Sequence, residues 1–171
     1  TTVPFTIVDN FFDNPKEIRD YALSLKYIPE PDGKWPGKRT ALLNHINPSL
    51  EDFVLRKIYN LFFEETPIGS TVKMSFQKIE HLEGSGWPHQ DKELFTFLIY
   101  LHDDEESINC GTSIYSLKKG VYHPFKDLQD QRKMETFMRS KFNQSKTGKM
   151  TKEQLIIQEK FISENFTKTI D

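Results

Sequence analysis

At 171 residues the chain is long enough for one domain that buries a real core. Charged residues make up 28% and hydrophobic ones 36%, but 14 phenylalanines exclude a disordered composition. A net charge of -2 argues against a generic nucleic-acid binder, and no apolar run approaches the roughly 20 residues that a bilayer span requires. The charge is uneven: Lys118 to Asp171 holds 12 Lys/Arg against 7 Asp/Glu, and the preceding part holds 11 against 18. The single cysteine, Cys110, leaves no intramolecular disulfide and fits a reducing compartment. The first residues, Thr1 to Thr6, carry neither a basic region nor an apolar signal core, so a cytoplasmic protein is expected.

In chain order, Phe5 to Val8 predicts a short strand. Asn14-Pro15, with Glu17 as box partner, opens a helix whose apolar positions are Ile18, Tyr21, Ala22 and Leu25. Lys26 to Leu43 reads as irregular, broken by Pro29, Pro31, Gly33, Pro36 and Gly37. Asn47-Pro48-Ser49 opens a second helix with Leu50, Phe53, Val54, Ile58, Leu61 and Phe62 on its face, ended by Pro67 and Gly69. Three strands are expected next, over Val72–Glu80, Leu94–Leu101 and Thr112–Leu117. The first alternates through Val72, Met74, Phe76 and Ile79, whereas the second is nearly continuous and suits a strand buried on both sides. Pro124 to Phe142 predicts a helix with Phe125, Leu128, Met138 and Phe142 inward, and Ser145 to Met150 a linker. A last helix starts at Thr151, with Gln154 closing a capping box and Leu155, Ile156, Phe161 and Ile162 as apolar positions.

The chemistry concentrates at Trp87-Pro88-His89-Gln90-Asp91. Residues two apart point to the same side of an extended chain, so His89 and Asp91 share a face. One imidazole and one carboxylate are two thirds of the facial triad that holds non-heme Fe(II) and leaves positions open for substrate and oxygen. The preceding Glu83-Gly84-Ser85-Gly86 gives the backbone freedom to bring both to a strand edge. By spacing alone a surface turn pair is the commoner reading. The ordinary readings of Tyr100 and Tyr115 are core packing with a satisfied hydroxyl, and of His81 and His102 a strand end. Arg39, after a glycine-containing turn, could meet an anionic substrate, though most exposed arginines do not, and Cys110 reads as a small buried residue.

The context carries more than the pair. Phe76 to Gly84, then His89-Gln90-Asp91, then Phe97 to Asp104 and Cys110-Gly111-Thr112-Ser113-Ile114-Tyr115 together resemble the central part of the prolyl-4-hydroxylase-like Fe(II)/2-oxoglutarate oxygenases. The segments Val8 to Pro15 and Trp35 to Thr40 are similar to the N-terminal region of phage and bacterial members. The resemblance covers roughly residues 3 to 117. His81 stands where many members have a co-substrate-contacting Tyr, and Cys110 replaces the first Gly of Gly-Gly-Thr.

The resemblance implies an α+β protein: a double-stranded β-helix (jelly-roll) core over 1–117, with N-terminal helices, and a basic helical segment over 118–171 in the same domain. It implies Fe(II) held by His89 and Asp91, and 2-oxoglutarate as co-substrate, with His81, Tyr100 and Tyr115 as its candidate contacts. The activity implied is hydroxylation of a small-molecule or peptide substrate, in the host cytoplasm if the chain is phage-encoded. A distal His and a carboxylate-binding Arg or Lys on late strands complete the family pattern, and no late strand is evident before Asp171. Either residues 120–171 are a helical insertion and the chain stops before its last strands, which is the favoured reading, or His123 is the third ligand. A different class of function stays open: a catalytically inactive or incomplete oxygenase fold kept as a binding or structural module. Its basic last third would then meet nucleic acid or an acidic partner, although the solvated face of two helices is the simpler account.

Overall fold

The computed structural model describes residues 5–29, 37–64, 71–80, 93, 95–102, 111–119 and 151–170. Among these the chain is mixed α+β, with four helices and small antiparallel sheets. In order they are α1 (Pro15–Ser24), β1 (Ile28–Pro29), β2 (Lys38–Arg39), α2 (Leu43–Ile46), α3 (Pro48–Phe62), β3 (Gln77–Lys78), β4 (Ile114–Leu117), α4 (Lys152–Asn165) and β5 (Phe166–Ile170). The chain divides into two compact units, Ser24–His81 and Thr1–Leu23 with Leu82–Asp171.

In the unit Ser24–His81, α3 starts where its sequence dictates. The Asn47 side chain accepts a hydrogen bond from the Leu50 amide at 3.0 Å, and Pro48 occupies the first turn, where a missing N–H costs nothing. Asn47 also ends α2, its own amide donating to the Leu43 carbonyl at 2.7 Å. One turn apart, Val54 and Ile58 are each 2% exposed, and Leu50 is half-buried. Burial of this kind is worth about 1.5–3 kcal/mol per side chain. Phe53, Leu61 and Phe62 belong to the expected apolar face but stand exposed, and the helix closes at Phe62 before reaching Pro67. The stretch expected to be irregular, Lys26 to Leu43, holds β1 and β2, and the four-residue α2 starts at its last residue. On the outer side of α3, Arg56 Nε donates to Asp52 at 2.7 Å, which holds the guanidinium pKa above its ordinary value. Burial pushes the Tyr27 phenol upward in the same sense.

The sheet of this unit runs β1-β2-β3, all antiparallel, with Ile28 opposite Arg39, and Lys38 and Arg39 opposite Lys78 and Gln77. Pro29 sits on an edge strand, where a residue without an N–H is tolerated. Gly37, at φ +77°, precedes β2, and a Cβ there would lie 2.2 Å from the Lys78 carbonyl oxygen. Only glycine combines that backbone with that approach. Beyond the paired residues the two segments stay joined. The Thr40 amide donates to the Phe76 carbonyl at 3.0 Å, the Phe76 amide donates back to Thr40 Oγ1 at 3.1 Å, and the Leu43 amide donates to Met74 at 2.7 Å. The expected strand Val72–Glu80 is therefore mostly an irregular segment, with Val72, Met74 and Phe76 half-buried and Ile79 exposed.

In the other unit α1 begins at Pro15 and turns Ala22 inward, with Ile18, Tyr21 and Leu25 half-buried, as its spacing predicts. The strand expected at Phe5–Val8 is absent, and all four of these residues are exposed in irregular backbone. Segment 95–101 is not the doubly buried strand expected of Leu94–Leu101. Phe97, Ile99 and Leu101 are half-buried while Leu98, at 63%, and Tyr100 are exposed. That alternation is the signature of an extended chain with one covered face, which a continuous apolar run does not reveal.

The largest correction lies at the C-terminus. The helix predicted from Thr151 is present as α4 with its full capping box: Gln154 N donates to Thr151 Oγ1 at 3.3 Å, and Thr151 N to Gln154 Oε1 at 2.6 Å. It does not end the fold. Residues Phe166–Ile170 return as β5, antiparallel to β4, so 118–171 is not helical throughout and a late strand does exist. Ile114 pairs with Ile170 and Tyr115 with Lys168, which leaves Thr169 as a bulged residue. The ladder joins residues on either side of the expected 117/118 boundary. The helix predicted over Pro124–Phe142 and its linker lie outside the described residues. A complete jelly roll is not established by these short sheets.

Candidate functional site

The described part of the candidate site is built around Gly111-Thr112 and β4. The Tyr100 hydroxyl donates to Thr112 Oγ1, tying the end of segment 95–101 to the residues just before β4. Tyr100 also meets His102 edge-on, with ring centroids 5.5 Å apart, as side chains two apart on an extended chain can. On β4, Tyr115 lies opposite Lys168, so the two share a sheet face. The Tyr115 ring packs edge-on against Phe166 at 6.3 Å, and Phe166 meets Phe161 of α4 at 6.0 Å. Its phenol oxygen makes no hydrogen bond among the described residues. The opposite face of the same pair of strands is polar, with Ser116 Oγ 3.0 Å from Thr169 Oγ1 and Thr167 opposite Ser116.

One basic residue of the last third has a structural task. The Lys118 amide donates to the Asn165 carbonyl at 3.0 Å, and its ammonium donates to the Ser163 carbonyl. The last turn of α4 contains no basic residue of its own, so Lys118 supplies, from the strand side, the positive charge that a helix C-terminus favours. Lys160 lies 3.9 Å from Glu164 on the exposed side of α4. Lys118 is thereby turned toward the fold itself, whereas Lys160 stays on the solvent side.

Of the predicted site residues, Tyr100 and Tyr115 are described, and they sit in different settings: one bonded to Thr112, the other packed on Phe166. His81, His89, Asp91 and His123 lie outside the described residues, as does Cys110. Among the described residues no group of three or more His, Cys, Asp or Glu side chains gathers to hold a metal. The fit of the proposed ion therefore rests on donor chemistry. His89 offers a borderline nitrogen and Asp91 a hard oxygen, a set that suits Fe(II). Arg39 is engaged: its Nε and Nη2 donate to the side-chain oxygen Oε1 of Gln77 at 3.1 and 2.9 Å across the strands. Sequence reasoning missed Thr112, Phe166 and Lys118 as partners of this region. Alternation in Phe166-Thr167-Lys168-Thr169-Ile170, rich in β-branched residues, was the available signal.

Comparison with known families finds a match over residues 1–159 to a family described as being of unknown function, DUF6445. The chain belongs to the DUF6445 family. The match spans α1 to α3, the whole of β1 to β4, the His89-Gln90-Asp91 segment and the first half of α4. No curated protein and no solved structure matches the chain. Among the described residues of this DUF6445 member, no helix is long and apolar enough to cross a membrane.

Proposed function

We propose that this DUF6445 protein is an Fe(II)- and 2-oxoglutarate-dependent dioxygenase with a jelly-roll core, hydroxylating a small-molecule or peptide substrate. The observation that carries the reading is the order of parts in the sequence. His89-Gln90-Asp91 follows a glycine-containing stretch of sequence and precedes an apolar one, an acidic one, Gly111-Thr112 and the strand bearing Tyr115. Two features of the fold support it. Segment 95–101 is bound to Thr112 through Tyr100, and β4 acquires an antiparallel late partner, β5, which carries Lys168 but no His.

In this reading His89 and Asp91 ligate the metal, and His123 is the candidate third ligand. Bound Fe(II) with 2-oxoglutarate would supply oxidative chemistry that consumes one O2: one oxygen atom enters the substrate C–H as hydroxyl, and the other enters succinate as 2-oxoglutarate loses CO2. The chain supplies orientation. With its ring held by Phe166, Tyr115 has its hydroxyl available for a co-substrate oxygen. Tyr100, fixed on Thr112, keeps acceptor capacity on its own oxygen. His81 is the third candidate contact.

The test is anaerobic Fe(II) titration of the wild type and of His89→Ala and Asp91→Ala, followed by succinate release from 2-oxoglutarate in air. Each substitution should weaken Fe(II) binding by at least about ten-fold, since even outer-sphere changes at metal sites reach that size. Equal affinity in wild type and variants would overturn the ligand assignment. Metal bound through these residues without any succinate would overturn the enzymatic reading and favour a binding module.

A further inference from the structure

We draw no further inference here: the strongest candidate, the exposed apolar edge of segment 95–101 at Leu98 and Tyr100, carries nothing because nothing in the structure shows what covers it.

Discussion

The two long helices begin alike and bury different things. Both α3 and α4 open on a side chain that accepts an amide of the first turn, Asn47 for one and Thr151 for the other. From there they diverge. The inward stripe of α3 is Val54 and Ile58, whereas that of α4 is Gln154, Gln158 and Ile162, with Gln158 only 1% exposed and Ile156 at 64% facing out. A helix start is a local event, decided by four residues. The buried face is decided by what the rest of the chain presents, and in α4 that selects two amides over an available isoleucine.

This contrast can be broken most forcefully at the centres of the two stripes. Ile58→Ala should destabilise the protein by about 2–5 kcal/mol, through lost apolar burial and the cavity left behind. Gln158→Leu nearly preserves volume and removes a buried amide whose Oε1 meets no donor among the described residues, so it should cost less, about 1 kcal/mol. Urea unfolding of both variants measures the difference. A Gln158→Leu protein as stable as wild type would mean that α4 tolerates an apolar stripe after all, and that the contrast lies in the sequence rather than in the packing.

An effect smaller than that of Ile58→Ala is expected at the caps. Asn47→Ala and Thr151→Ala should each cost about 0.5–2 kcal/mol. Thr151→Ala also breaks the reciprocal bond arrangement with Gln154, so its loss belongs toward the upper end. Hydrogen exchange at the Leu50 and Gln154 amides, which the two caps bind, reports each one separately. Protection unchanged at Gln154 in Thr151→Ala would remove the capping box from the account of α4.

The smallest effect belongs to the far end of α4. Lys118→Met keeps the aliphatic stem but removes the ammonium from the Ser163 carbonyl, and should cost about 0.3–1 kcal/mol, shrinking further in high salt. At the end of α3 the Phe63 amide donates to the Tyr59 carbonyl at 2.9 Å, a plain continuation of the helix, and the last turn holds no basic residue. A Lys118→Met variant whose stability matches wild type at low salt would make the two C-termini equivalent.

What the sequence revealed follows the same division. Pro15, Asn47-Pro48 and Thr151-x-x-Gln154 are signals complete within a few residues, and the helices begin at or beside them. The strand Ile114–Leu117 was legible as part of Thr112–Leu117 from its branched and aromatic residues. The strand Phe166–Ile170 offered only a short alternation, which five residues directly after a helix hide as its fraying tail until a partner is known. Leu94 to Leu101 misled in the opposite direction, since an unbroken apolar run cannot say which of its faces will be covered. At the candidate site the identities of Tyr100 and Tyr115 were legible. Their partners were not, because Phe166 is 51 positions from Tyr115 and only the β4–β5 register brings them together. His89, Asp91 and His123 rest on sequence order alone, which is why metal titration is the measurement that matters most for function.

The glycine before β2 restricts what this position can hold. With a carbonyl oxygen standing where the first side-chain atom would be, position 37 has room for a hydrogen and nothing larger. Even alanine would have to pry β2 from β3 while enduring a left-handed backbone, so the smallest mutational step is already a large structural one. A library randomised at that codon and selected only for folding should return a single amino acid.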